Sequence, residues 1–423
     1  MIRHHVVVVG GGLIGLSTAH ALLREGHKVT IVEKRALGSG AATGNAGELT
    51  PQQVAPLASA NTARDVFRGV LSRNSYLSID PLQLPRLARF GLGFLRAART
   101  ANASRGAAAL AQFSGGIRAA LQRMADDGVD ISGGGDGFLM TSSDETELDA
   151  AHAAYRERAE RGWGAGPGPV LRGDQLRAAE PALQPSVVGG FVLPGEFSLD
   201  PVTFVASLVE RVRAGGAEIR EGLAAMRIGT GPSASIVCAD ENGAEVTIRG
   251  DRLVIAAGAW TTSILRRSRI RSAPVVSGKG YSFTVPVDRM PSSLVHAMDL
   301  HCVAIPMHGR LRIVGMMEFD GHPERSNPHR FEVLTRAASR LIADADWSAR
   351  TDEWVGARPM TADGLPLLGR VPRRPDVIVA AGHNMHGLSL GPITGQIVAA
   401  LVADREPFVE GRRVDLAPFA VRR

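Results

Sequence analysis

Cysteine is nearly absent from this chain: Cys238 and Cys302 are the only two in 423 residues. One disulfide at most could form, too little to staple a chain of this length, so a reducing compartment is implied and the cytoplasm is the expected location. Lysine is also rare, since Lys28, Lys34 and Lys279 are the only lysines among 48 basic residues. The arginines are scattered among 42 acids, so a net charge of +6 marks no single basic face. No zinc, RNA-binding or basic-region motif accompanies them, and nucleic acid is not an expected partner. No apolar run reaches the roughly 18 residues of a bilayer-spanning helix. Arg3, His4 and His5 lead straight into an apolar strand rather than a cleavable leader. What remains is ordinary for a globular enzyme, with 44% hydrophobic and 21% charged residues and length for roughly two or three domains.

The glycines are more informative. His5 to Val9 is a continuous apolar run of buried-strand type, and Leu13, Leu16, Ala19 and Leu23 recur after it at helical spacing. Between them lies Gly10-Gly11-Gly12-Leu13-Ile14-Gly15, a G-x-G-x-x-G in the strand-to-helix setting that dinucleotide binding requires. Gly10 permits the tight turn, Gly12 lets the backbone approach a pyrophosphate, and Gly15 lets the helix lie close to the sheet. The helix N-terminus then meets the phosphates with free N–H groups and a partial positive charge. Lys28 to Val32 reads as the second strand, with Glu33 at its end to accept ribose hydroxyls, which disfavours a 2′-phosphate. Strand, helix, strand and acid in that order indicate a dinucleotide site and leave NAD and FAD both open.

Two further segments bear on that choice. Ala41 to Gly47 is a loop of small residues directly after the ribose-binding strand, where backbone can approach the second half of a cofactor. Near the C-terminus a buried strand, Val377 to Ala381, leads into Gly382-His383-Asn384-Met385-His386-Gly387-Leu388-Ser389-Leu390-Gly391-Pro392. Pro392 suits the first position of a helix running to about Leu401. Together with Trp354 to Gly369, these stretches resemble the FAD-dependent amino-acid oxidoreductases of the D-amino-acid oxidase superfamily, bacterial D-amino-acid dehydrogenases and glycine oxidases among them. The resemblance spans essentially the whole chain. Its ordered markers are the glycine turn, Gly44-Asn45-Ala46-Gly47, Val254 to Trp260, Arg358-Pro359 and Gly382-His383.

The resemblance implies an α/β fold, with an FAD-binding Rossmann-like domain of the glutathione-reductase type and an α+β substrate domain built from insertions. Residues 1–60, 198–265 and 346–423 would form the first, and 61–197 and 266–345 the second. It implies noncovalent FAD held by Gly10, Gly11, Gly12, Leu13, Ile14 and Gly15, by Glu33, Lys34 and Arg35, and by Thr43, Asn45, Ala46 and Gly47. Ala225, Ala257, Gly258, Trp260, Gly387, Leu388 and Ser389 would complete the site. Arg358 is the implied anchor for a substrate carboxylate, its parallel N–H donors matching the two oxygens. The implied reaction is hydride transfer from the amine-bearing carbon to flavin N5, giving an imine that water hydrolyses to an oxo acid. Tyr281 and His386 are further catalytic candidates, Tyr281 for the carboxylate or as a pocket cap, with a buried structural role as the other reading, and His386 for the amine, with filling of the loop as the other. Lys279 is a candidate neighbour of the flavin that influences reaction with oxygen. Glycine oxidases of the family can place a second basic residue where this chain has Asn384-Met385-His386, so a larger or N-substituted amino acid is expected instead of glycine. Oxygen or a quinone is the expected acceptor. The alternatives are a glycine- or sarcosine-type oxidase and an NAD-linked dehydrogenase using only the first motif.

The remaining chain reads as supporting structure. An amphipathic helix from Pro201 to Ala214 precedes a strand and turn from Ala217 to Ile228 and a hairpin across Asn242-Gly243, and a second hairpin from Val303 to Met317 turns at His308-Gly309. Arg64, Arg68, Arg73, Arg86, Arg89, Arg96, Arg99 and Arg105 are interleaved with Leu82, Leu87, Phe90, Phe94 and Leu95. A solvated helix pair over the active-site mouth is the expected reading, and weak peripheral contact with a membrane the other. No metal is expected, because His383 and His386 lack a third ligand and Glu318 and His322 read as a strand end.

Overall fold

A computed structural model of the chain describes residues 2–52, 74–231 and 233–423. Arg64, Arg68 and Arg73 therefore lie outside the described residues. Val6, Val7, Val8 and Val9 are β-branched and at most 2% exposed, as suits a strand covered on both faces. His5–Val9 runs inside a six-stranded sheet ordered Leu367–Val371, Arg374–Ala381, Arg252–Ile255, His5–Val9, Lys28–Val32 and Glu218–Arg220. Its strands are parallel apart from the Leu367–Val371 edge.

The period-2 alternation of these strands separates two cores. Val6 and Val8, with Val29, Ile31, Val254 and Ile378, pack under the helices Leu13–Arg24 and Gly387–Val402. Val7 and Val9, with Leu253, Ile255 and Val377, pack on an antiparallel meander of Ala224–Ile228, Ala234–Ala239 and Glu245–Gly250. Helix layer, sheet and meander make three layers. Pro201–Ala214 packs beside the first helix, and Asp200 caps it by accepting the N–H groups of Val202 at 3.0 Å and Thr203 at 3.2 Å.

A second, ten-stranded sheet is mostly antiparallel. Its path runs Thr351–Thr361, Val275–Val285, Arg310–Phe319, Cys302–Met307, Leu294–Ala297, Asp136–Ser142, Gly189–Ser198 and Glu48–Leu49. Glu48–Leu49 and Thr351–Thr361 thus pair with strands of this sheet rather than with the six-stranded one. The expected hairpin turning at His308-Gly309 is its Cys302–Met307 and Arg310–Phe319 pair.

One expected boundary is corrected. The last helix begins at Gly387, and Pro392 lies inside it. The proline ring removes one i→i−4 hydrogen bond there, at the carbonyl of Leu388. The helix persists because nearly all of it is buried, much of it against Leu13–Arg24, and packing overrides the local signal. Its positive end consequently falls at Gly387-Leu388-Ser389. In the arginine-rich segment, Leu84–Ala97 and Thr100–Ser114 are helices, and the first turns Leu87, Phe90 and Phe94 toward a cavity while Leu92 stays exposed. No helix among the described residues is long and apolar enough to cross a membrane.

Candidate active site

The C-terminal ends of the parallel strands open on a narrow cavity of about 340 Å³, the place where open α/β sheets bind ligands. Gly10, Gly12, Leu13 and Ile14 line it from the turn, and Glu33, Lys34 and Arg35 from the end of the second strand. The turn admits no side chain at two points. Gly10 has φ +104°, and a Cβ at Gly15 would stand 1.8 Å from the Gly10 carbonyl oxygen. Glu33 braces it by accepting the N–H of Gly11 at 2.7 Å and that of Arg35 at 2.9 Å. Lys34 Nζ lies 4.8 Å from the Trp260 ring centroid and 2.6 Å from Glu324. Asn45, Ala225, Ala257, Gly258, Trp260, Gly387 and Leu388 also line the cavity.

Six residues expected at the cofactor do not line this cavity. Gly11 gives its N–H to Glu33, and Gly15 packs against the turn. The Thr43 carbonyl accepts from Arg312 at 3.2 Å. Ala46 lines a neighbouring cavity, Gly47 packs against the Leu199 carbonyl, and Ser389 Oγ accepts the N–H of Thr50 at 3.0 Å.

His383 lines the narrow cavity and was not among the sequence candidates for the cofactor. Its ring is 1% exposed, with Nε2 2.9 Å from Thr394 Oγ1 and a buried Nδ1 that has no partner among the described residues. Burial pushes its pKa down to about 3, so the ring stays neutral. Below the ordinary value of 6.5 the unfolded chain therefore binds one proton more than the folded one. This residue's contribution is complete above that pH and is lost on acidification, at up to about 1.4 kcal/mol per pH unit. Thermal melts at pH 7 and pH 5 check this: His383→Gln is expected to lose about 2 kcal/mol less on acidification than the native chain, and equal losses would contradict it.

A wide cavity of about 1000 Å³ adjoins the narrow one, and Asn45, Arg358, Met385 and Leu388 line both. Arg358 thus stands at the junction. It lies on Thr351–Thr361, opposite Gly278 of Val275–Val285, with Gly280 opposite Gly356. A Cβ at Gly280 would come within 2.3 Å of the guanidinium carbon, so the missing side chain is the space the guanidinium occupies. Nη1 donates to the Met316 carbonyl at 2.7 Å, and no carboxylate among the described residues approaches within 4.0 Å. Burial pushes Arg358 down to about 10, against the pull of the Glu48 carboxylate, and it remains a cation at neutral pH. Asn384 locks the final loop to this strand: its N–H donates to Pro359 at 3.0 Å and its Oδ1 accepts the N–H of Thr361 at 2.9 Å.

The other catalytic candidates divide. His386 lines the wide cavity just before the last helix. Tyr281 does not line either cavity. In the register Tyr281 pairs with Val355 and Lys279 with Ala357, on the face of the strand opposite Arg358. Tyr281 is fully buried, its hydroxyl 2.5 Å from Glu318 and its ring edge-on to Phe331. Lys279 is equally buried, with Nζ 2.8 Å from both Glu318 and Asp320 and 2.7 Å from the Arg325 carbonyl. Neither reaches the place expected for it. Glu48, Thr50 and His296 line the wide cavity and had no signal of their own in the sequence. Among the described residues no group of three or more His, Cys, Asp or Glu side chains is arranged to hold a metal.

The glycine cradle, Glu33, two helix N-termini and the orphan Nδ1 of His383 fit a dinucleotide carrying a ring system at the Arg358 end. Residues 5–401 match the family model described as DAO, FAD dependent oxidoreductase. The chain belongs to this family. A D-amino acid dehydrogenase of Cereibacter sphaeroides is 30% identical across 98% of this chain and 95% of its own length. The crystal structure of glycine oxidase from Geobacillus kaustophilus aligns with a TM-score of 0.73 at 27% identity, covering 100% of this chain and 99% of that one. An iminodiacetate oxidase from a Chelativorans species shares the fold, with a TM-score of 0.70 at 21% identity over 98% of both chains. The cofactor is therefore FAD, and the NAD-linked alternative is set aside.

Proposed function

We propose that this flavoenzyme oxidises the C–N bond of an α-amino acid larger than glycine, either D-configured or N-substituted. The observation that carries the reading is Arg358, a part-buried guanidinium at the junction of the two cavities with no carboxylate partner among the described residues. A planar fork of N–H donors in a site drier than bulk water selects a carboxylate and fixes its orientation. FAD, when bound, supplies the two-electron acceptor. Arg358 holds the substrate by one end so that the amine-bearing carbon is presented toward the narrow cavity. That carbon loses a hydride and its nitrogen a proton. Water then adds to the imine, releasing an oxo acid and ammonia or an amine. The start of the Gly387–Val402 helix lines the narrow cavity, and its positive end favours negative charge placed there. The width of the second cavity supports a substrate with a side chain.

Anaerobic mixing of the yellow holoenzyme with D-, L- and N-methyl amino acids tests this. At least one class is expected to bleach the visible flavin band faster than glycine does, and reoxidation by oxygen or a quinone analogue then identifies the acceptor. A band untouched by the whole panel would end the amino-acid reading.

A further inference from the structure

Arg358 accounts for one charge of an amino acid, and of the acids that line the same cavity, Glu48, Asp144, Glu147 and Asp299, Glu48 is the one whose charge Arg358 feels. Glu48 follows the small-residue cofactor loop and opens the short strand that pairs with Ser198. Two residues later the N–H of Thr50 donates to Ser389 Oγ at 3.0 Å, tying this segment to the start of the last helix. The Glu48 backbone is thus pinned between the large sheet and the wall of the cofactor cavity. Its Oε1 lies 3.0 Å from Nδ1 of His296, on the Leu294–Ala297 strand. That contact orients the carboxylate and leaves Oε2 without a partner among the described residues. Both side chains line the wide cavity with Arg358.

Glu48 is near enough for Arg358 to feel its charge, yet the two are not within the 4.0 Å of an ion pair. Opposite charges in one part-buried cavity attract strongly. Here each is held by a different wall, Arg358 through the Met316 carbonyl and Glu48 through His296. A ligand with both charges on one carbon satisfies the two together, whereas a simple carboxylate leaves Glu48 facing an uncharged group.

We propose that Glu48, positioned by His296, is the ammonium pole of the substrate site and sets its preference for zwitterionic amino acids over other carboxylates. The assignment rests on the proposed amino-acid reaction. Glu48 recognises the amine, Arg358 the carboxylate, and the pair turns the α-carbon in a defined direction.

The test uses two ligands of nearly equal shape that cannot be oxidised, because neither has an α-hydrogen. In 2-aminoisobutyrate the quaternary carbon carries an ammonium, and in pivalate a methyl group takes its place. Binding to the holoenzyme is read from perturbation of the flavin spectrum and from competition with an amino acid that bleaches it. The native enzyme is expected to bind 2-aminoisobutyrate at least about tenfold more tightly than pivalate. Glu48→Gln is expected to bring the two within about twofold while pivalate binding holds, which also shows that the variant is folded. Glu48→Asp should retain part of the preference, and His296→Asn should reduce it less than Glu48→Gln does. An unchanged ratio in Glu48→Gln would overturn the assignment, as would equal binding of both ligands by the native enzyme. Failure of the underlying reaction looks different, because then no amino acid bleaches the flavin at all.

Discussion

Arg358→Ala is expected to raise the KM for the amino-acid substrate about a hundredfold, corresponding to the loss of two charge-assisted hydrogen bonds worth roughly 3 kcal/mol. The effect belongs mainly in KM, because an anchor for a spectator carboxylate acts on ground state and transition state alike. Arg358→Lys restores the charge without the planar fork and is expected to recover only part of the loss. The protein contacts given up are those of Nη1 with the Met316 carbonyl and with Met317 Sδ, and the glycine turn and Glu33 remain in place to hold the nucleotide half of the cofactor, so flavin content should be close to native in both variants. Steady-state kinetics at saturating acceptor, with flavin content measured in parallel, checks this. A KM that does not move in Arg358→Ala would remove the anchor from the reaction.

Gly15→Val is expected to yield protein that purifies without yellow colour, with FAD affinity lowered by at least about a hundredfold. Its Cβ would stand 1.8 Å from the Gly10 carbonyl oxygen and 2.9 Å from the carbonyl carbon, both rigid backbone. Relief requires the helix Leu13–Arg24 to move off the sheet, which breaks the phosphate turn and loosens the core beneath it. Gly12 separates these effects, since nothing lies within 4 Å of a Cβ there although the residue lines the cofactor cavity. Gly12→Ala is expected to keep the melting temperature of the flavin-free protein, whereas Gly15→Val lowers it. Flavin absorbance after purification and melts of both apoproteins decide the matter; native flavin content in Gly15→Val would show that the turn is less constrained than its geometry implies.

The nucleotide end of the site was legible because its signal is local. Strand, glycine turn, helix, second strand and Glu33 follow one another in the chain, and each has a composition that only a few conformations accept. The choice of FAD over NAD came from segments scattered to the C-terminus, which carry little meaning singly. Which of the two readings of Tyr281 holds is decided by parity. The run Gly278-Lys279-Gly280-Tyr281 alternates empty and filled positions, and the register puts the glycines with Arg358 and the filled positions on the other face. Which face borders the cavity is decided by a partner strand some eighty residues away, and no local pattern reports it. Glu48 and His296 escaped notice because they are 248 positions apart and each is unremarkable alone. The place of His383 in the cofactor wall follows from burial, which sequence does not state. Pro392 misled because a proline rule for helix starts met a helix held together by its neighbours.

The bare strip formed by Gly278, Gly280 and Gly356 also bears on redesign. A methyl group at any of the three would meet Met317, Arg358 or Trp354, and at Gly280 it would displace the guanidinium itself, so varying that position alters the anchor rather than the room beside it. Leu87 and Phe90 line the wide cavity from a helix whose outer side meets solvent. Trimming or enlarging those two side chains alters the room available to a substrate while leaving its anchor untouched.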